Sequence, residues 1–317
     1  MPRVLSKRFD TCVAALAFAL AGCHKKPPAP LAIEKLTVGE ESLAAAPSLG
    51  LGAEQMRKQV SLAVEHQGAL VLRPDQKPPE NVPAFRLRAE VESARLEDTP
   101  YEDAGVGQEA RVGVVLEVSR HTPDGTEKLS GEGISRVSAP PAADVEGQAA
   151  AFKRAFTASL EQAAARLTRA AVASRASVER LHQDLGSPDA GVREAAADVL
   201  VDRKDPKAIP VVVAELESPD ENVMMKAVGE LVELRAKQAV PKLIDLAQTR
   251  DPRLGSDPHF QMQIIYALGS IGGEEAEAYL YTIASGHPDE MVRNAARQAS
   301  SELRRDRDLR KPVGKTP

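Results

Sequence analysis

A small α+β domain, one sheet with two helices, followed by an all-α solenoid of about four helical pairs is the fold class this sequence predicts. Three observations carry the prediction. From about Ser177 to Leu303 a turn motif recurs: Leu185-Gly186-Ser187-Pro188-Asp189 with Val192-Arg193, Leu216-Glu217-Ser218-Pro219-Asp220 with Val223, and Gly286-His287-Pro288-Asp289 with Met291-Val292-Arg293. Units of this length cannot each close a core, so they stack and share one. Ahead of them, Phe85, Leu87, Ala89 and Val91 alternate with Arg86, Arg88, Glu90 and Glu92, the period of a strand with one buried face. Between the two regions, Phe152, Phe156, Leu160, Ala163, Leu167 and Ala171 recur at helical spacing and mark a long amphipathic helix.

The chain starts with Arg3, Lys7 and Arg8, continues with the apolar run Cys12 to Leu20, too short to span a bilayer, and reaches Leu20-Ala21-Gly22-Cys23. This box resembles the lipobox of bacterial lipoproteins. The resemblance implies that residues 1–22 are a signal peptide and that Cys23 carries diacylglycerol and an acyl chain. With His24 rather than Asp next, it also implies export to the outer membrane, facing the periplasm of a two-membrane cell. Residues 23–31, with their Pro-Pro-Ala-Pro run, form a tether. Of two cysteines only the lipidated Cys23 survives cleavage, so the mature chain forms no disulfide of its own. Losing Arg3, Lys7, Arg8 and Asp10 moves the formal charge from −5 to −7, and that mild acidity argues against a nucleic-acid partner.

Residues 32–174 read as the α/β domain. Ile33 to Val38 is a first strand, and Ala44 to Leu51 a loop. Ala53 to Gln67 is a helix with Met56, Val60 and Val64 on one face and Gly68 as its left-handed stop. Ala69 to Leu72 is a short strand. Phe85 to Glu92, Val112 to Val118 and Leu129 to Val137 are three more, the last weakened by Gly131 and Gly133. His121-Thr122-Pro123-Asp124-Gly125-Thr126 is the hairpin tip between the last two. Both helices pack on one face of the sheet. The order of elements resembles the small periplasmic domains of outer-membrane lipoproteins that activate penicillin-binding proteins, and the N-terminal domain of the TolB translocation protein; no residue motif is shared.

Residues 175–305 read as the repeat domain and residues 306–317 as a basic, disordered tail. Aligning the residue that opens each second helix gives Val192, Val223, Phe260 and Val292. The third unit is lengthened around Asp251 to Pro258. Leu181, Val212 and Leu243 match in the first helices; Ala196, Ala227, Ile264 and Ala296, then Leu200, Leu231 and Leu268, match in the second. Pro210 and Pro241 open first helices, where a missing N–H costs nothing. Val192-Arg193-Glu194-Ala195-Ala196-Ala197-Asp198-Val199-Leu200 and Ala267-Leu268-Gly269-Ser270-Ile271-Gly272 resemble HEAT repeats, in particular the short HEAT-like repeats of phycobilisome lyases. The bilin-attaching activity of those enzymes does not follow from the fold. Ser300 stands where the pattern has leucine, with Leu303 further on, which suits a terminal capping turn.

No catalytic constellation emerges. The six histidines are scattered, no pair has the spacing of a helical metal site, and there is neither a phosphate-binding glycine loop nor a serine elbow. Apart from the lipid on Cys23, no cofactor or metal is expected. The second helices of a solenoid form a concave wall. Counting from the aligned residue, the outward positions are Glu194, Asp198, Met225, Gly229, Met262, Tyr266, Asn294 and Gln298, with Arg193, Met224, Gln261 and Arg293 beside them. The expected groove, Arg193, Glu194, Asp198, Met224, Met225, Met262, Tyr266, Arg293 and Asn294, is apolar in its middle and polar at its ends, suited to a protein partner or to closure by the N-terminal domain. The reading is a non-catalytic, lipid-anchored envelope protein that binds a protein partner on a repeat scaffold. The alternative is an accessory regulator of a cell-wall synthase or secretion complex acting through the α/β domain.

Overall fold

Residues 31–45, 49–72, 84–101, 105–123, 125–139, 145–249 and 258–310 are described by the structure, a computed structural model. The signal peptide, Cys23 and the tether up to residue 30 lie outside them, as does the insertion at 250–257. The N-terminal half consists of β1 (Leu31–Val38), α1 (Glu40–Ala45), α2 (Ala53–His66), β2 (Leu70–Leu72), β3 (Ala84–Tyr101), β4 (Gly105–Thr122), β5 (Gly125–Ala139) and α3 (Val145–Ala173). The five strands form one sheet in the order β2-β1-β3-β4-β5. β1 runs parallel to both its neighbours, joined to β2 through α2, and β3, β4 and β5 form an antiparallel meander. Met56, Val60 and Val64 of α2 and the predicted stripe of α3 share one core with Phe85, Leu87, Val112, Val114 and Leu116, so both helices lie on the same face.

Two differences from the sequence reading have a common cause. β3 and β4 are each 18 residues long, about twice the alternating run. A β-bulge lies between Val91 and Ser93, so the inward positions shift from Phe85, Leu87, Ala89 to Ala94 and Leu96. The extra residue, Glu92, reverses the alternation and hides the rest of the strand from a period-two search. At the same place β1 ends and the short helix α1 takes over part of what was read as coil. The buried hydroxyl of Ser42 accepts the Val91 N–H at 2.7 Å.

Gly131 and Gly133, read as weak points of β5, are where α3 crosses the sheet. A Cβ on Gly133 would lie 2.8 Å from the Ala163 nitrogen and overlap the Ser159 carbonyl oxygen; one on Gly131 would be 2.8 Å from the Leu167 Cβ. Ser159, fully buried, donates its hydroxyl to the Val112 carbonyl at 2.7 Å and ties the helix to β4.

Among the described residues eight α-helices follow in four pairs: α4 (Val178–Asp184) with α5 (Ala190–Asp202), α6 (Ile209–Glu215) with α7 (Glu221–Glu233), α8 (Val240–Thr249) with α9 (Pro258–Ile271), and α10 (Glu274–Gly286) with α11 (Glu290–Arg310). The aligned columns, Leu181, Val212, Leu243 and Ala196, Ala227, Ile264, Ala296, are buried in a single core. The recurring turn has a chemical reason. Asp189, Asp220 and Asp289 cap their helices by accepting the N–H two residues on, at 2.8–2.9 Å. The residue two before each, Ser187, Ser218 or His287, accepts that aspartate's own N–H. α5 and α7 end on Lys204 and Arg235 at φ 57° and 49°, and α9 ends on Gly272 at φ 72°, all in the left-handed C-terminal position. α11 continues to Arg310, five residues into the stretch expected to be a disordered tail, and Arg307 pairs with Glu277 at 3.0 Å.

The two cores meet on one helix: Ala171 of α3 belongs to the first and Ala173 to the second. Arg203 donates to the carbonyls of Ser174 and Ala176, closing the short connection to α4, and α3 packs along α5.

Candidate functional site at the seam between sheet and repeats

The second helices of the solenoid turn towards the N-terminal domain, and two adjoining clefts open along the seam. The narrower, about 380 Å³, has Ser130, Gly131 and Glu132 of β5 and Arg166, Arg169 and Ala170 of α3 on one side. Glu194, Ala195 and Asp198 of α5, Glu215 of α6, and Val223 and Lys226 of α7 stand opposite. The wider, about 860 Å³, lies between Arg111, Ile134 and Arg136 of the sheet's outer face and Pro219 to Asn222, Met225 and Gln263 of the repeats. Asp220 borders both.

A cluster of carboxylates gathers around one cation on the repeat wall. Lys226 Nζ pairs with Asp198 Oδ1 and, at 3.1 Å, with Glu230 Oε1. Burial pushes the Glu215 carboxyl up to about 7, with Glu230, Asp198 and Glu194 adding to the effect and Lys226 opposing it. Burial lifts Glu230 to about 7 as well, against the pull of Lys226. Burial disfavours the Lys226 ammonium, but Asp198 and Glu230 outweigh it and raise its pKa. One oxygen each of Glu215 and Glu230 is buried without a hydrogen-bond partner. Protonation of Glu215 and Glu230 is therefore favoured well above the usual carboxylate range, where the two domains meet.

The nine expected groove residues divide into three groups. Glu194 and Asp198 line the narrower cleft and face α3 and β5, so the first-repeat end is walled by the N-terminal domain. Met225 borders the wider cleft, and Met262 and Tyr266 are half-buried on α9, Tyr266 donating its hydroxyl to Gln298 at 3.2 Å; Asn294 is exposed on α11. Arg193, Met224 and Arg293 are corrections. Met224 is 1% exposed and belongs to the core. Arg193 donates to the carbonyls of Ser187 and Pro188, and Arg293 to those of His287 and Pro288. Gln261, in the same column, donates to Ala247. The residue after the aligned one thus faces the preceding turn, because a 100° step along the helix carries it towards the first helix of its own unit.

Sequence reading missed Lys226, Glu215 and Glu230. A signal was present: Lys226 stands in a column otherwise filled by Ala195, Gln263 and Ala295, and Glu230 in one filled by Val199, Ala267 and Ala299. Charges in columns that are otherwise mostly small and apolar mark the second unit as different. Among the described residues no group of three or more His, Cys, Asp or Glu is placed to hold a metal ion, and no helix is long and apolar enough to cross a membrane.

Fold and seam together define a two-part protein in which an α-helical repeat array is joined to a sheet domain through one shared helix. Residues 178–256 and 209–301 match the family described as HEAT repeats, so the C-terminal region carries HEAT-type repeats, which point to a protein-interaction scaffold. No curated protein matches the chain.

Proposed function

We propose that this protein is a non-catalytic scaffold, anchored in the cell envelope by a lipid on Cys23, that binds a protein partner on the second helices of its HEAT-type repeats. The observation that carries the reading is the half-buried apolar column Met225, Met262 and Tyr266 on the adjacent helices α7 and α9. Soft, polarisable side chains on such a column adapt to a partner's apolar face. The polar Glu194–Asp198 end faces α3 and β5 across the narrower cleft, and Met225 borders the wider one, which leaves Met262 and Tyr266 for a partner. The anchor rests on Leu20-Ala21-Gly22-Cys23. Confinement to a surface raises the effective concentration of a partner in the same envelope.

A photo-crosslinking residue placed at Met262 in cells tests the partner site. A discrete adduct absent when the same probe replaces exposed Leu62 of α2, and lost in the Tyr266→Asp background, is the expected result. Equal labelling from both positions would refute the site. Cys23→Ala should release the protein from membranes; retention would sink the anchor.

A further inference from the structure

The sheet face turned away from the helices carries charges that are paired across the strands. Arg88 is paired in register with Glu117, opposite charges face to face across β3 and β4. Two neighbouring rungs oppose like charges: Glu97 of β3 faces Glu109 of β4, and the rung beside it is basic throughout. Arg95 of β3 is directly opposite Arg111 of β4, and Arg111 is directly opposite Arg136 of β5. Like charges in directly opposed positions repel, so three guanidinium groups in a row oppose the pairing that holds the strands. A single carboxylate serves all three: Glu97 accepts from Arg95 at 2.8 Å and from Arg111 at 3.2 Å, and lies 3.9 Å from Arg136. The Nε–H of Arg111 is buried and has no acceptor.

Arg111 and Arg136 also line the wider cleft, where Asn222 and Gln263 bring amide groups from the repeats. Two acids share that wall. Asp220 is turned back on its own helix as a cap, accepting from the Asn222 N–H at 2.9 Å, and Glu221 is exposed. Three guanidiniums of this rung share Glu97, with Glu109 opposite that glutamate in the next rung, and guanidinium forks fit an oxyanion with more than one oxygen.

We infer that the Arg95–Arg111–Arg136 rung is a binding site for a dianionic phosphate group, presented by a soluble phosphomonoester or by the headgroup of a lipid. An acceptor for Arg111 and a counter-charge between directly opposed guanidiniums are what such a group supplies. Met225 borders the same cleft, but the inference rests on the arginine row and does not depend on the scaffold reading.

The test is calorimetric titration of the full-length protein with inorganic phosphate and with glycerol phosphate at neutral pH and low salt. Saturable binding is expected, weakened about tenfold or more by Arg111→Gln and by Arg136→Gln. Arg86→Gln, on β3 and paired with Glu34, should leave it unchanged. If Arg111→Gln does not fold, Arg136→Gln decides, because that side chain is 56% exposed and carries little of the structure. Acetate binding as tightly as phosphate, no saturable phosphate binding, or equal loss in Arg86→Gln would each overturn the inference. Vesicles containing phosphatidate separate the sources. Tighter binding to them than to glycerol phosphate, with the same sensitivity to both variants, assigns the phosphate to a lipid; weaker binding assigns it to a soluble ester. Vesicle binding indifferent to both variants counts against the site.

Discussion

The same substitution, glycine to alanine, should act with opposite sign at two positions. At Gly133 the new methyl would sit 2.8 Å from the Ala163 nitrogen, where ordinary contact begins at 3.4 Å, and would overlap the Ser159 carbonyl oxygen more severely. The obstacle is helix backbone, which cannot swing aside as a side chain does. α3 would have to withdraw by at least 0.6 Å along a face that buries Phe156, Ser159 and Leu160, and the Ser159 hydroxyl would stretch from Val112. Overpacking of this kind costs about 1–3 kcal/mol, and a main-chain clash belongs at the upper end. At Gly229, in the middle of α7, nothing lies within 4 Å of the added methyl. There alanine removes backbone freedom from the unfolded chain and should stabilise by ~0.5–1 kcal/mol. Urea unfolding gives the signs, and hydrogen exchange read by mass spectrometry gives the places: faster exchange in β5 and α3 for Gly133→Ala, slower in α7 for Gly229→Ala. A Gly133→Ala protein within ~0.5 kcal/mol of the parent, or losses spread evenly over the repeats, would refute the close-crossing argument.

Further expectations concern the repeats. Glu215 and Glu230 are raised from 4.5 to about 7, so the folded state binds their protons more tightly than the unfolded chain. The stability this contributes is complete below about pH 4.5 and is lost as pH rises through 7, so the repeats should weaken across that window. Burial of the two carboxyls is the first cause of both shifts and Lys226 opposes it, so the loss should be on the order of a few kcal/mol. Unfolding at pH 5 and pH 8 should show Glu230→Gln flattening the dependence; parallel profiles for the variant and the parent would remove the cluster as its cause. Arg235 holds φ 49° at the end of α7, a conformation that costs a side-chain-bearing residue about 1 kcal/mol. Arg235→Gly should therefore raise the thermal midpoint by a few degrees, and a fall would show that the arginine side chain contributes more than its backbone costs.

The repeats were legible in the sequence because each structural demand recurs. The Asp cap, the apolar columns and the left-handed stop appear three or four times, and recurrence separates them from chance. The sheet was legible only as far as the bulge at Glu92, beyond which the alternation changes phase. The seam was not legible at all. Glu194 and Asp198 were read as outward-facing, which they are with respect to their own helix. What they face depends on where α3 crosses α5, and that is set by Gly131, Gly133 and the Arg169 side chain lying over Gly191. Those glycines read as strand-weakening residues because their partner is a helix about thirty residues away. The arginine rung was hidden for a similar reason: Arg95, Arg111 and Arg136 come together only once the register of three strands is known.

The 29 residues of α3 are a single uninterrupted helix, buried along its length in the first core and entering the second at its last residue, Ala173. A chain with a coil between its two parts behaves as beads on a string. Here the connection is a shaft, and bending it requires breaking helix hydrogen bonds or stripping side chains out of a core. A pull on the repeats from a bound partner would therefore be transmitted along the helix axis into the sheet rather than dissipated at a joint. The widths of both clefts are then governed by how α3 sits on β5, so a load applied at the far end of the array would be felt at the glycines that let the shaft lie close.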